Sequence, residues 1–545
     1  MSAADPIDRL RAAVQDAAGS LHRGDGGPAP TFERPRRPDQ GDYSSNVAMV
    51  LAGSLGEAPR EVAERLREPI VEALGPELSR VEVAGPGFIN LFLADSWYRS
   101  ALAALLALGD GMPVAPVDSP RRVSVEFVSA NPTGPLTAAG GRHAAYGDAV
   151  ARLLDAVGHQ VSREYYVNDT GGQIERFAQS VAAQMTGAPP PEDGYEGEYV
   201  AALARALLDE GVPPEDLDAV VERSVELTLA GIRASLEAYR VHFDSWFSER
   251  DLHRAGAIEA ATAALREGGH VYESEGALWL RTSELGDDKD RVLIRSNGEA
   301  TYFAADIAYH RNKLDRGFEL LIDVLGADHH GYVERMRAAI GALGGDPSSY
   351  EALIMQLVHV VEGGQRAQMS KRRGEFVTLD ELVADIGVDA TRFFMLQRTH
   401  DTPVDLDLTL ARRQSSDNPV YYVQYAHARI ASIIRKGGDD AVRRALKADL
   451  ASLAAPVEPA ERVLLKRLLE LPGEVREAAA RRAPHRLCAY ATAIAADFHV
   501  FYRDCQVLGL DDRDVEASRL ATCLVSKRAI ARVLDLLGIT APERM

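Results

Sequence analysis

One segment of the chain, a strand followed by a glycine-rich turn and a helix, restricts the possible fold more than any other. Residues 122–128 alternate apolar and polar side chains as a strand does, and residues 143–157 carry apolar side chains at helical spacing. Residues 131–141, between them, contain three glycines and two prolines. This order is typical of the first unit of a nucleotide-binding α/β domain. The turn matches neither the G-x-x-x-x-G-K-S/T nor the G-x-G-x-x-G pattern, so a tight connection without a ligand is the alternative.

Length and composition set the class of protein and its compartment. The 545 residues predict three or four domains at about 150 residues each. Hydrophobic residues make up 46% and charged residues 26%, which excludes collagen-like, disulfide-rich and wholly disordered chains. Three cysteines are too few for a disulfide framework, and no apolar run reaches the ~20 residues of a membrane span. Because the first eleven residues also lack a secretion signal, we expect a cytoplasmic protein with no membrane partner.

The formal net charge of −20 argues against a general nucleic-acid coat. Local basic patches are compatible with it, since they bind phosphates while the rest of the surface repels them. Nucleic acid therefore stays among the possible partners.

The chain divides into a mixed N-terminal part, a central part with several strands, and a helical C-terminal part. Two strands flank the turn Gly85-Pro86-Gly87. After a proline run at 189–191, residues 195–265 read as helix, and further strand-like segments are 160–167, 278–281, 292–295, 320–325 and 353–361. C-terminal helices are predicted at 379–396, 420–435, 456–480, 487–508 and 513–537. Residues 439–450 are predicted to form a charged connection.

Two residues on the same face of a predicted helix suggest a binding site for a cation. Tyr302 and Asp306 are four residues apart and lie on one face of a helix. Together with Glu126 they supply two carboxylates and an aromatic ring, which suit the planar fork of a guanidinium. On these residues alone, a surface pair without a role is the simpler interpretation.

Two polar loops follow apolar strands. Residues 326–331 (GADHHG) lie where ligands bind in open α/β sheets. Asp-His-His also resembles a metal phosphoesterase motif, but the sequence has no companion carboxylate motif, so we predict no metal site. Residues 368–374 (QMSKRRG) would neutralise phosphate charge in a transition state. Polar loop packing and a solvated basic turn are the alternatives.

In their order along the chain, these features resemble the arginyl-tRNA synthetase family of class I aminoacyl-tRNA synthetases over nearly the whole length. The segments that carry the resemblance are GDYSSN at 41–46, VAGPGFIN at 83–90, VEFVSANPTGP at 125–135, YYVND at 165–169, YF and DIAYH within 302–310, LGADHHGY at 325–332, MSK at 369–371, DNPVYYVQYAH at 417–427 and APERM at 541–545.

The resemblance implies an α/β fold with a Rossmann-type catalytic core at 120–398 and an insertion around 180–290. It also implies an α+β N-terminal domain at 1–112 that binds the tRNA body, and an all-helical anticodon-binding domain at 405–545. The implied partners are tRNA and arginine or another guanidino small molecule, and the implied form is a monomer. No cofactor is expected to be tightly bound, and ATP with magnesium is expected only if the protein is a ligase.

The resemblance further implies roles for individual residues. Glu126, Tyr302 and Asp306 would hold the guanidinium, and Asn131 would hold the amino acid backbone. No protein metal ligand is implied.

Other residues would lie near the reacting phosphates. Lys371 would stabilise the leaving diphosphate, and Thr137 and His329 are further catalytic candidates. The positions expected near the adenosine or the tRNA 3′ end are Ala139, Gly140, Asp328, Met369 and Ser370.

The first signature of the family is altered in this sequence. Thr137-Ala138-Ala139-Gly140 stands where the family has His-Ile-Gly-His or a close variant. The two missing histidines donate to ATP phosphates, and each such contact is worth ~1.5–3 kcal/mol. Thr137 would replace the first only in part, and Gly140 replaces the second with nothing. Ala139 adds a methyl group where the family's glycine lets adenine approach the backbone, at a cost of ~1–3 kcal/mol.

Three hypotheses follow for the function. We favour a paralogue, impaired in ATP activation, that transfers an aminoacyl group from charged tRNA to a guanidine-bearing small molecule in a biosynthetic pathway. The alternative is an ordinary arginine–tRNA ligase that joins arginine to tRNA with ATP. The third is a non-catalytic tRNA-binding regulator. For the transferase the general base is not identified, and the candidates are His143, His310 and His329.

Overall fold

The structure is a computed structural model that describes residues 5–21, 30–35, 37–366, 377–454 and 456–545. Its N-terminal part is a four-stranded antiparallel sheet with helices packed on it. Its elements are α1 (Pro6–Leu21), β1 (Phe32–Glu33), β2 (Tyr43–Ser45), α2 (Val47–Leu55), α3 (Pro59–Leu74), β3 (Leu78–Ala84), β4 (Phe88–Leu93) and α4 (Asp95–Ala107). The strand order in this sheet is β1-β2-β4-β3. In the predicted turn between β3 and β4, Gly87 has φ +142°, and a Cβ there would lie 2.8 Å from the Pro59 carbonyl oxygen. Glycine is therefore required at this position.

The central part contains most of the strands. Its elements are β5 (Arg122–Glu126), α5 (Ala138–Ala156), β6 (Gln160–Val167), α6 (Gly172–Thr186), α7 (Glu198–Asp209), α8 (Leu217–Ala238), β7 (Ser245–Ser248), α9 (Glu249–Arg254), α10 (Ala257–Glu267), β8 (Val271–Ser274), β9 (Ala277–Leu280), β10 (Arg291–Ile294), α11 (Tyr302–Asp315), β11 (Leu320–Gly326), α12 (Val333–Ala342), β12 (Tyr350–Met355), β13 (Val358–Glu362) and β14 (Gln365–Arg366).

Five of these strands form a parallel sheet in the order β12-β11-β5-β6-β7. The central strands β5 and β11 are mostly buried, as expected for apolar strands covered on both faces. The strand order reverses at β5, because the chain proceeds from β5 to β6 on one side while β11 and β12 lie on the other. In sheets of this kind ligands bind outside the carboxyl ends of the strands, at the point of reversal.

Helices α6 to α8 pack around their own apolar cluster, which includes Phe177, Val181 and Leu207. The predicted hairpin is confirmed, since β9 pairs with β10 in antiparallel orientation. The helix predicted over 195–265 is wrong at β7, which forms the edge strand beside β6. Trp246 of β7 stacks on Tyr165 with the ring centroids 4.3 Å apart, and aromatic side chains of this kind favour a strand.

The C-terminal part is helical apart from one short strand. Its elements are α13 (Leu379–Leu396), β15 (Val404–Asp407), α14 (Leu408–Ala411), α15 (Pro419–Lys447), α16 (Pro459–Leu469), α17 (Leu471–Ala480), α18 (His485–Asp504) and α19 (Arg513–Leu536). The charged connection predicted at 439–450 is wrong, because α15 continues to Lys447 after a local break at Gly438, where φ is +73°. The helix predicted at 456–480 is two helices, with Pro472 in the first turn of α17.

The predicted fold class is confirmed: a parallel α/β core carries an α+β N-terminal part and a helical C-terminal part. Within the described part of the chain, no helix is long and apolar enough to cross a membrane.

Candidate active site

A pocket of about 380 Å³ opens at the carboxyl ends of the parallel strands, where the strand order reverses. Its walls come from the segments that follow β5, β6 and β11, and from helices α5 and α11. The structure brings five of the predicted site residues into this pocket, namely Glu126, Asn131, Tyr302, Asp306 and His329.

Asp306 lies at the acidic end of the pocket. Thr301 caps the N-terminus of α11, which places Tyr302 and Asp306 one helical turn apart on the pocket wall. Burial raises the pKa of the Asp306 carboxyl to about 7, and Glu126 and Glu249 act in the same direction. A hydrogen bond from the Tyr332 hydroxyl favours the charged form of Asp306. The side chain is therefore poised to gain its full charge when a cation binds beside it.

Glu126 is already partly neutralised by the protein. Its Oε2 atom accepts a hydrogen bond from Lys313 Nζ at 2.6 Å, and its Oε1 atom accepts one from the Ser129 hydroxyl at 3.0 Å. Burial raises the pKa of Glu126, and the charge of Lys313 opposes that effect.

A buried network continues from Lys313 below the pocket. Lys313 Nζ also donates to Asp323 Oδ1 at 3.0 Å, while His310 Nε2 lies 3.0 Å from Asp323 Oδ2. The ammonium of Lys313 holds the pKa of Asp323 well below its usual range, against the effect of burial. The Nδ1 atom of His310 lies 2.8 Å from the Asp306 carbonyl oxygen, so both ring nitrogens of His310 have partners.

Sequence reasoning missed Lys313, although its position carried a signal. Asp306, His310 and Lys313 follow one another at intervals of four and three residues, which places them on one face of α11. That face is buried at Lys313, which has no exposed surface. Polar residues at helical spacing on α11 therefore indicated a buried polar network that includes Lys313.

Glu249 is a second carboxylate of the pocket that sequence reasoning missed. It is the first residue of α9, directly after β7, and only 4% of its surface is exposed. The amide nitrogen of Asn168, which follows β6, donates to Glu249 Oε2 at 3.1 Å. Burial raises the pKa of Glu249. The residue was missed because the strand that positions it was predicted to be helix.

Asn131 also lines the pocket. Its side-chain nitrogen donates to Gln173 Oε1 at 2.5 Å, and both side chains line the pocket. Gln173 belongs to the first turn of α6 and was not predicted as a site residue. The pair offers polar groups for a zwitterionic ligand.

The altered signature forms the start of α5. The Thr137 hydroxyl oxygen accepts a hydrogen bond from the Gly140 amide at 3.3 Å and caps the helix. The methyl group of Ala139, predicted to crowd adenine, is exposed, and neither it nor Thr137 or Gly140 is among the described residues that line the pocket. The Ala138 amide donates to the Val377 carbonyl at 3.0 Å, which anchors the start of α5 to the residues that precede α13.

Of the remaining predicted site residues, Asp328 is described and does not line the pocket. The side chain of Asp328 is 84% exposed and lies 3.6 Å from His329 Nε2. Met369, Ser370 and Lys371 lie outside the described residues. Among the described residues, no cluster of three or more histidine, cysteine, aspartate or glutamate side chains is arranged to hold a metal ion.

The fold and the matched domains define a class I aminoacyl-tRNA synthetase. Residues 249–407 match the model of the class I (R) tRNA synthetase catalytic domain. Residues 8–93 match the arginyl-tRNA synthetase N-terminal domain, and residues 423–545 match the DALR anticodon-binding domain.

Two curated relatives are named arginine–tRNA ligase and cover nearly the whole chain. The protein of Heliobacterium modesticaldum is 45% identical over 536 residues, 95% of each chain. That of Moorella thermoacetica is 45% identical over 554 residues, 98% of each chain. The solved arginyl-tRNA synthetase of Thermus thermophilus aligns with a TM-score of 0.78 at 26% identity, over 99% of this chain and 100% of the other. The chain belongs to the arginyl-tRNA synthetase family.

The hypothesis of an aminoacyl-transferring paralogue is wrong. Relatives with 43–45% identity over 94–98% of the chain are arginine–tRNA ligases, which favours the alternative. The altered signature adds no side chain to the described lining of the pocket, because Thr137, Ala139 and Gly140 lie outside it.

Proposed function

We propose that this protein is an arginine–tRNA ligase, which converts ATP, L-arginine and tRNA to arginyl-tRNA, AMP and diphosphate. The observation that carries the proposal is the acidic, tyrosine-lined end of a pocket at the carboxyl edge of the parallel sheet. The near full-length similarity to arginine–tRNA ligases supports it.

The acidic end suits the side chain of arginine. Asp306 is the carboxylate that would pair with the guanidinium, with the Tyr302 ring at its side. Glu249 supplies a second buried carboxylate for the guanidinium. The charge of Glu126, by contrast, is already largely neutralised by its ion pair with Lys313. A planar guanidinium bonds two such groups at once, while lysine offers one point charge. The pocket therefore favours arginine over lysine.

The reaction needs the arginine carboxylate next to the α-phosphorus of ATP. We place the arginine backbone near Asn131 and ATP towards the turn that precedes α5. A carboxylate oxygen attacks the α-phosphorus and diphosphate leaves, which gives an arginyl adenylate. A hydroxyl of the terminal tRNA ribose then attacks the carbonyl carbon and AMP leaves. Magnesium would enter with the ATP phosphates, and Lys371 would stabilise the leaving diphosphate.

The direct test is a charging assay on the full chain. The purified protein is mixed with total tRNA, ATP, magnesium and radiolabelled arginine, and the label precipitated with tRNA is counted. We expect ATP-dependent charging with arginine and none with lysine. Absence of charging in a preparation that binds tRNA would refute the proposal. We also expect the active species to be a monomer, which sedimentation analysis would check.

The pH dependence of arginine binding provides a second prediction. Because the Asp306 pKa is raised to about 7, the carboxyl is mostly protonated at pH 6 and mostly ionised at pH 8. A cation binds only the ionised form, so KM for arginine should fall about tenfold between pH 6 and pH 8. Charging rates at saturating ATP and tRNA measure this. The Asp306→Asn variant, which has no carboxyl to titrate, should lose the dependence, and a parallel slope in that variant would assign the titration elsewhere.

The helical domain carries a surface suited to stacked bases. Tyr421 and Tyr425 lie in parallel with centroids 6.2 Å apart, and Arg429 covers the ring of Tyr502 at 4.6 Å. His499 completes this aromatic cluster, and Tyr425 is 38% exposed. We propose that the aromatic cluster stacks on nucleotides of the anticodon loop.

Replacing Tyr425 by alanine should therefore weaken tRNA binding without affecting the pocket. Stacking on one base is worth ~1–3 kcal/mol, so KM for tRNA should rise by roughly 5- to 100-fold. KM for arginine should not change. Tyr272→Ala, on the separate β8–β10 sheet, is the control and should leave KM for tRNA and KM for arginine unchanged. Equal effects of the two variants would show that the cluster does not bind tRNA.

A further inference from the structure

The pocket is asymmetric in its charged groups. Glu126, Glu249 and His310 are among the groups that act on Asp306, whereas Arg142, Asp328 and His329 act on His143. One end is therefore acidic and the other carries imidazoles. Among the described residues that line the pocket there is no arginine or lysine. Few of the described side chains at the end that carries imidazoles can therefore donate a hydrogen bond to an anion.

Of the three histidines that line the pocket, His143 has the fewest polar contacts with other described residues. His310 has partners on both ring nitrogens, and the side chain of His329 is 46% exposed beside Asp328. His143 lies on α5, its ring lines the pocket, and no described residue forms a hydrogen bond with it. Burial lowers the pKa of His143 to about 4, and Arg142 acts in the same direction. At neutral pH the ring is therefore uncharged, with one N–H free to donate.

His143 lies about one turn into α5, close to the start of the helix. Gly140 and His143 are three residues apart and share one face of the helix. Side chains on a helix lean towards its N-terminus, so the ring of His143 extends over the turn that contains Gly140. Gly140 itself has no side chain, and the side chain of Leu136 lies 3.4 Å from the position that a Cβ there would take. An imidazole one turn further along α5 can thus reach the region in front of the helix start, where anions are favoured.

We propose that His143 donates a hydrogen bond to a phosphate oxygen of ATP and so supplies the imidazole that the altered signature at Thr137 to Gly140 lacks. This role rests on the proposed ligase function, since ATP must enter the pocket. It assigns the acidic end of the pocket to arginine and the imidazole end to the nucleotide.

The test compares two variants of His143 in the full chain with tRNA present. In His143→Ala, KM for ATP should rise about tenfold or more, as expected for loss of a hydrogen bond to a charged group. KM for arginine should stay constant. His143→Gln keeps an N–H donor and should recover part of the loss. His159→Ala, at the amino end of β6, is the matched control and should behave as wild type.

Equilibrium dialysis of labelled ATP against the same proteins separates this proposal from the proposed function. Weaker ATP binding in His143→Ala than in wild type supports the assignment even if the wild type fails to charge arginine, in which case only the ligase proposal falls. Equal ATP binding in both proteins overturns the assignment. So does a joint rise of all three KM values with a lower melting temperature, because that pattern is typical of a structural role.

Discussion

Replacing Asp306 by asparagine is expected to cause the largest loss of activity of any single change in the pocket. Asp306 is the carboxylate of the acidic end that has no basic side chain paired with it among the described residues. Removing one partner of a buried charge pair costs ~2–5 kcal/mol, or roughly 30- to 4,000-fold in kcat/KM for arginine. KM for ATP and for tRNA should change little. Charging kinetics at varied arginine concentration measure the effect.

The asparagine variant is suited to this measurement because it keeps the local contacts. Its side-chain oxygen can still accept the hydrogen bond from the Tyr332 hydroxyl. Asp315→Asn, at the other end of α11, is the matched control, since this carboxylate is 71% exposed and lies 3.8 Å from Arg311. If the two variants have the same kcat/KM for arginine, the guanidinium does not bind at Asp306.

The site residues that were predicted from the sequence lie in short-range patterns along the chain. Tyr302 and Asp306 are one helical turn apart, and that spacing survives in any fold that keeps α11 as a helix. Glu126 and Asn131 lie at the end of β5 and in the turn that follows it, so one strand prediction placed both at the sheet edge. Short-range patterns of this kind need no knowledge of the tertiary structure.

The parts that were missed depend on contacts between distant segments. Glu249 reaches the pocket only because residues 245–248 pair with β6, about 80 residues earlier in the chain, instead of forming helix. Similarly, His143 lines the pocket only because α5 packs beside segments that follow β6 and β11. Period and composition do not encode such pairings, and the four residues of β7 are too short a run to stand out between helices.

The altered signature shows how a motif can mislead. Its substitutions argued for a damaged nucleotide site, because each position was weighed against the family pattern in isolation. In the structure Thr137 caps α5 and Ala139 is exposed, while a histidine one turn later lines the pocket. A short motif should therefore be judged together with the whole face of the helix that carries it.

Replacing Lys313 by methionine is expected to produce the largest loss of stability. Lys313 is completely buried and bonds Glu126 at 2.6 Å and Asp323 at 3.0 Å. Methionine keeps the volume but leaves two carboxylates without a counterion in the core. Breaking a buried pair in this way costs ~3–5 kcal/mol. The midpoint of thermal unfolding of the catalytic part should fall by about 6–20 °C.

The pH dependence of this loss distinguishes electrostatics from packing. In the wild type, Lys313 holds the pKa of Asp323 low, so the stability it contributes is present above the ordinary carboxyl pKa and is lost as the pH falls. In the variant the carboxylates gain stability when they are protonated. The difference between the two proteins should therefore shrink as the pH falls towards about 4. A difference that is constant with pH would assign the effect to packing, and Lys289→Met, on an exposed loop, should show neither effect.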